Sequence, residues 1–384
     1  MAIRLGPRLS SWRYEATPDG PGSRDLRIDL LRGFCLFAMI VDHVGGQSSW
    51  LYALTGGDRF VVSAAEVFVL LSGIALGMVH RTTIQRQGVR AMFAKLLRRA
   101  VLLYLVGAAL TLAFASASVV LAAPWAARAT PAQDEVDFAL SVLTLHRTYS
   151  LTDILVLYTL LVLAAAPVLA LIARGHGLLV LAGSVAVWAV AQLWPAYLPG
   201  VWVITDGGFP FAAWQLIFCV GLVVGYHRER LAAQLRPSRL LLLGATLTIA
   251  VFLIQRLVTD VGVDPRELLF DKNDARPGRV LALLAAASFG YAALTLGWVP
   301  VRRLLGWLLL ALGRRSLFAY SVQLFVVAFF SSALMAPVRL DRENALFQAS
   351  AVLIVWLACV ATPELRLRTR TLARRVPSRA MASA

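Results

Sequence analysis

The sequence predicts an all-α protein built for a bilayer: a polytopic bundle of about ten transmembrane helices with both termini in the cytoplasm. Three observations carry that prediction. Of 384 residues, 59% are hydrophobic and 15% charged, and the mean hydropathy is +0.73, which exceeds what one water-soluble core hides. Apolar stretches recur at the ~20 residues that a hydrocarbon core of about 30 Å requires of a helix. Arginine and lysine gather in the connections that fall on one side of those stretches.

The stretches lie near 29–46, 61–79, 96–117, 150–173, 178–194, 211–226, 239–258, 279–298, 316–336 and 346–362. A further run at 304–312 is too short to span unaided and is expected at the interface, or as a lead-in to the ninth helix. Alternation puts 1–28, 80–99, 174–177, 227–239, 299–315 and 363–384 on one side, and these hold 26 of the 37 Lys and Arg residues. The other side holds 10, with Arg32 inside the first helix. The basic side is the cytoplasmic one. The first thirty residues carry five arginines with Pro, Gly and Ser but no apolar stretch for a signal peptidase, so the N-terminus is expected to stay inside, uncleaved. One membrane domain over 24–362 is expected, flanked by basic tails at 1–23, read as disordered, and at 363–384.

A formal charge of +16 raises nucleic acid as a partner. The positive residues, however, sit in short clusters between apolar runs and not along a groove-lining element, so no nucleic-acid binding is expected. Cys35, Cys219 and Cys359 each lie inside an apolar run without CxxC spacing, as small core hydrophobes do. His80, His146, His176 and His227 fall at helix ends or in loops without ligand spacing, and no metal is expected.

The chemistry concentrates in the first two helices. Asp29, Arg32, Asp42 and His43 put four ionisable groups into one apolar helix, and such groups in a membrane are candidates for function. At 100° per residue Arg32 and His43 point within about 20° of each other, Asp29 lies about 40° from His43, and a rise of roughly 16 Å separates Arg32 from His43. One face thus runs from the cytoplasmic surface to mid-membrane and suits an elongated ligand. Taken singly, Asp29 and Arg32 also suit interfacial anchors. Glu66 in Ser63-Ala-Ala-Glu66-Val-Phe68 buries another carboxylate, expected to pair with Arg32 or His43 or to form a register-fixing ion pair.

At these residues the sequence resembles the OpgC family, which succinylates osmoregulated periplasmic glucans, and more distantly the acyltransferase family 3 membrane enzymes. The resemblance rests on Arg24-Asp25-Leu-Arg27-Ile-Asp29-Leu-Leu-Arg32-Gly33 with Asp42-His43, and on Ala64-Ala65-Glu66-Val-Phe68-Val with Ser72-Gly73. It continues through Leu151-Thr152-Asp153-Ile154-Leu155 with Tyr158, Phe211-Ala-Ala-Trp214-Gln215-Leu-Ile-Phe218 with Gly221, Asp271-Lys272, and Leu312-Gly313-Arg314-Arg315-Ser316-Leu317. The order of these segments covers residues 24–360.

The resemblance implies transfer of an acyl group from cytoplasmic acyl-CoA, with succinyl-CoA the expected co-substrate, to a glycan hydroxyl across a bacterial inner membrane. His43 is then the expected general base, with Asp42, Asp29 or Glu66 as its orienting partner, and an acyl-histidine relay stays open beside direct transfer. Arg32, Lys95, Arg98 and Arg99 are the expected contacts to the coenzyme. Asp153, Trp202, Asp206, Trp214, Gln215 and Lys272 are the expected contacts to the acceptor, although outer aromatics also form interfacial belts. The expected partners are membrane lipid, acyl-CoA and an extracytoplasmic glycan; the sequence leaves a homo-oligomer open. The competing reading is a proton-coupled transporter of a small solute or glycan precursor, in which Asp29, Asp42, His43 and Glu66 relay protons.

Overall fold

The computed structural model describes residues 25–44, 49–56, 61–121, 135–148, 150–194, 209–260, 262, 264–333 and 341–362. Most of these residues are helical, and there is no strand among them. In chain order the helices are α1 (Leu26–Val44), α2 (Trp50–Thr55), α3 (Ala64–Leu121), α4 (Glu135–Leu143), α5 (Asp153–Ala173), α6 (Gly177–Leu193) and α7 (Phe211–Tyr226). They continue as α8 (Arg228–Gln234), α9 (Pro237–Asp260), α10 (Pro265–Leu268), α11 (Pro277–Leu296), α12 (Trp298–Arg314), α13 (Ser316–Ala333) and α14 (Asp341–Ala361).

Five of the described helices are long and apolar enough to cross a membrane, and α6, α7 and most of α13 are shorter apolar helices. The longest is α3, 58 residues with a glycine, Gly88, at φ 81° in its middle. A straight helix would hold Ser72 and Thr111 roughly 58 Å apart. Yet the Tyr158 hydroxyl donates to Ser72 Oγ at 3.1 Å, and Thr111 and Thr152 share a hydrogen bond of 2.8 Å. Thr152 and Tyr158 are only roughly 9 Å apart along α5. The chain therefore folds back at Gly88, whose left-handed φ a residue with a Cβ resists, and the two arms flank α5. The predicted stretches 61–79 and 96–117 are these two arms.

Polarity is inverted relative to a protein in water. Arg27, Asp29 and Glu66 are 0%, 3% and 1% exposed, whereas Leu242 and Leu257 on α9 are 69% and 66% exposed. Bare leucine outside and charge inside is the distribution a hydrocarbon solvent selects. Helix α1, which carries Arg27, Asp29, Arg32 and Asp42, is largely buried and touches α2, α3, α11, α12, α13 and α14.

Close packing comes from glycine. Gly73 and Gly77 on α3 face Gly221 and Gly225 on α7, two GxxxG patterns that bring backbones into contact, as membrane helices do in the absence of a hydrophobic drive between them. A Cβ on Gly225 would run into the Ile74 carbonyl, and one on Gly33 of α1 into the carbonyl of Leu309 on α12. The run at 304–312 is thus the core of a 17-residue helix seated on α1, with Leu309 packed against Leu26 and Leu30 and Leu304 and Trp307 exposed. Arg302 and Arg303 interrupt its apolar run, which is why the sequence shows only its second half.

Candidate functional site

His43 ends the apolar part of α1 and lines a cavity of about 110 Å³ together with Met39, Asp42, Asp153, Lys272 and Tyr320. Four segments supply these groups: α1, the start of α5, the loop before α11, and α13. Each is fixed locally. Asp153 opens α5, where its Oδ1 accepts the Ile154 N–H at 2.7 Å, one of the free donors of a helix start. The Tyr320 hydroxyl donates to the Leu151 carbonyl at 2.6 Å, tying α13 to the turn before α5. Lys272 places its ammonium 5.7 Å from the centre of the Phe209 ring, a cation–π contact. Its charge also acts on His43, Glu66 and Asp153.

The side chain at His43 Nδ1 is Gln323 of α13, at 3.3 Å. Asp42, also on the cavity wall, has its Oδ1 accepting the Thr55 hydroxyl at 2.9 Å, and the 100° between neighbours on a helix sets its side chain apart from the His43 ring. Asp29 is buried where α12 crosses α1, its carbonyl against Gly313, and fourteen residues of rise, roughly 21 Å, separate it from His43. Gln323 went unnoticed in the sequence because a lone glutamine in an apolar helix carries no spacing signal; its place three residues after Tyr320 is the one available hint.

Glu66 pairs with neither Arg32 nor His43 but forms an interhelical ion pair, the other alternative the sequence left open. Ser63 caps α3, and Glu66 at the third helical position accepts the Ser63 N–H at 2.6 Å and its hydroxyl at 3.3 Å, most of a capping box. The other carboxylate oxygen forms an ion pair with Arg279 of α11. Arg279 also donates to the Phe270 carbonyl at 3.1 Å. It thereby latches the Lys272 loop to the α3 start, where Ser63, Ala64 and Ala65 form part of the cavity wall. Arg279 was the residue the sequence left out, lying 213 positions from its partner.

Trp214 and Gln215 are buried and serve as struts. Trp214 Nε1 donates to the Asn273 carbonyl at 2.9 Å, next to Lys272, and its ring meets Phe209 edge-on at 4.6 Å. Gln215 Oε1 accepts the Ser184 hydroxyl at 2.6 Å, and its Nε2 donates to the Ser184 carbonyl at 2.8 Å and to the Ala212 carbonyl at 3.2 Å, so its polar atoms are committed to α6 and to its own helix. Trp202 and Asp206 lie outside the described residues.

A second cluster occupies the other end of α1. Arg32 donates to Ser316 Oγ at 2.6 Å and lies 5.2 Å from the centre of the Phe68 ring. Arg32 and Arg99 of the returning α3 arm each act electrostatically on Tyr158. Lys95, Arg98 and Arg99 are exposed on that arm. His80, 6% exposed, has no described partner for its Nδ1. Burial, with Lys95 and Arg99 close by, pulls its pKa down to about 4.

The fold and site define a helical membrane protein with a His-, Lys- and Asp-lined cavity at one end of its central helix and a cationic cluster at the other. A family model described as OpgC protein matches residues 24–368, and the chain belongs to that family. Membership gives it a part in the modification of osmoregulated periplasmic glucans. No curated protein and no solved structure matches it.

Proposed function

We propose that this chain transfers an acyl group, succinyl by family, from cytoplasmic acyl-CoA to a glucan hydroxyl on the far side of a bacterial inner membrane. In this reading ten helices cross the bilayer, counting the two arms of α3 separately, and both termini are cytoplasmic. The charge asymmetry of the connections supports that orientation. Arg32, Arg99 and Lys95 then lie on the coenzyme side, where guanidinium and ammonium groups suit phosphates. The His43 cavity lies toward the acceptor.

The observation that carries the proposal is the pairing of these two sites along α1. A coenzyme anchored at the Arg32 end extends its pantetheine arm along the helix, bringing the thioester to His43. An acceptor hydroxyl held by Asp153 and Lys272 gives its proton to the His43 imidazole as its oxygen attacks the thioester carbonyl. The Lys272 ammonium faces the negative charge that develops on that carbonyl oxygen. The C–S bond breaks, the ester forms, and the imidazolium returns the proton to the departing thiolate. Metal ions have no part in this scheme.

The test is glucan acylation in cells. A deletion strain carrying the wild-type chain is expected to restore acylated glucan, seen by mass spectrometry, and one carrying His43→Ala at equal membrane abundance is expected to yield glucan without it. Acylation at the wild-type level in His43→Ala would remove His43 from the chemistry.

A further inference from the structure

Gln323 is 0% exposed, contacts His43 Nδ1 through its amide, and has no described partner for its other amide atom, Oε1. A buried amide that meets only an imidazole is costly unless the contact is used. Its two ends differ in what they do to the ring. With Nε2 toward Nδ1 the amide donates, and the ring proton is forced onto the opposite nitrogen. Turned by 180° about its last torsion, the amide presents Oε1, accepts an Nδ1–H, and leaves the opposite nitrogen with a free lone pair. The imidazolium carries a proton on both nitrogens, so it too needs an acceptor at Nδ1.

We propose that Gln323 is the positioning residue for His43: its Oε1 accepts Nδ1–H in the reactive state, directing the Nε2 lone pair at the acceptor hydroxyl and stabilising the imidazolium that follows. This rests on the reading of His43 as the base. A glutamine suits the task because it follows the ring through both protonation states without adding a charge. The titratable groups around His43 are its neighbour Asp42, Asp153 from α5, Lys272 from the loop before α11 and Tyr320 from α13. A carboxylate at position 323 would thus be a new negative charge directly on the ring.

The experiment uses purified full-length protein, succinyl-CoA as donor and soluble glucan oligosaccharides as acceptor, with release of free CoA thiol followed from pH 5 to 9. Gln323→Leu is expected to lower kcat by about tenfold to a hundredfold with KM for succinyl-CoA unchanged. Gln323→Glu keeps the volume and is expected to retain activity while moving the acidic limb of the kcat profile upward by about one pH unit or more, because a carboxylate at Nδ1 favours the charged ring. Should the Leu variant fold poorly, the Glu variant carries the same test. An unmoved limb in Gln323→Glu, or kcat within about twofold of wild type in Gln323→Leu, overturns the role of Gln323 if His43→Ala is inactive in the same assay. An active His43→Ala instead overturns the underlying reading of His43.

Discussion

Removing Arg279 tests the latch that holds the cavity wall. Glu66 is 1% exposed; besides Arg279 it accepts hydrogen bonds only from Ser63 among the described contacts. Arg279→Met leaves that carboxylate buried without its counter-charge and drops the hydrogen bond to the Phe270 carbonyl. Breaking a buried pair by removing one partner costs about 3–5 kcal/mol, and the lost bond from a charged donor lies within that range and does not add to it. Replacing both partners by apolar residues of similar volume is often near neutral, so Glu66→Leu/Arg279→Met is expected to recover at least about 2 kcal/mol of the single-variant loss. Equilibrium unfolding of the purified protein in mixed micelles reads these differences. The single variant is also expected to lose acyl transfer under conditions where it remains folded, since Phe270 lies two residues before Lys272. A loss below about 1 kcal/mol for Arg279→Met, or a double variant that merely adds the two single losses to within about 0.5 kcal/mol, would refute the latch.

Three further outcomes follow from the packing and the charges. Gly225→Ala, whose Cβ would meet the Ile74 carbonyl, is expected to destabilise the protein by about 1–3 kcal/mol; Gly183→Ala on α6, with open space around it, is expected to leave the same unfolding midpoint unchanged. Trp214→Phe keeps the ring but orphans the Asn273 carbonyl, and is expected to raise KM for the glucan acceptor with little change in KM for succinyl-CoA. His80 holds its proton less tightly folded, at about 4, than unfolded, at about 6.5, so the unfolded chain binds the extra proton between those values. Its contribution therefore makes stability fall as pH drops from about 6.5 toward 4, and His80→Gln is expected to flatten that part of the stability profile.

The sequence made the helical stretches legible because each is a run of apolar residues long enough to need no tertiary context, and the cluster on α1 because charge in such a run is conspicuous. Pairing across helices was another matter. Arg279 lies in the first turn of α11, where an arginine at the edge of an apolar stretch looks like any other, and Gln323 is one neutral amide in an apolar helix. Ser63 and Glu66 stand at capping-box spacing, but spacing along one helix does not show that the second carboxylate oxygen meets Arg279 of α11. Gly73-Gly77 and Gly221-Gly225 are GxxxG spacings in the sequence, but that they face each other is seen only when α3 and α7 are packed together. Trp214 and Gln215 stand out by composition, and the fold turns them toward α6 and the Lys272 loop because buried amide and indole groups must find partners.

Sided transfer is the central claim, and proteoliposomes with glucan oligosaccharides sealed inside and succinyl-CoA added only outside measure it directly. Protein oriented with its termini outward is predicted to release CoA thiol outside and to leave succinyl ester on the enclosed glucan, with neither product formed by His43→Ala. Absence of thiol release by the wild-type protein, together with movement of unmodified solute across the bilayer, would contradict acyl transfer and make the chain a transporter.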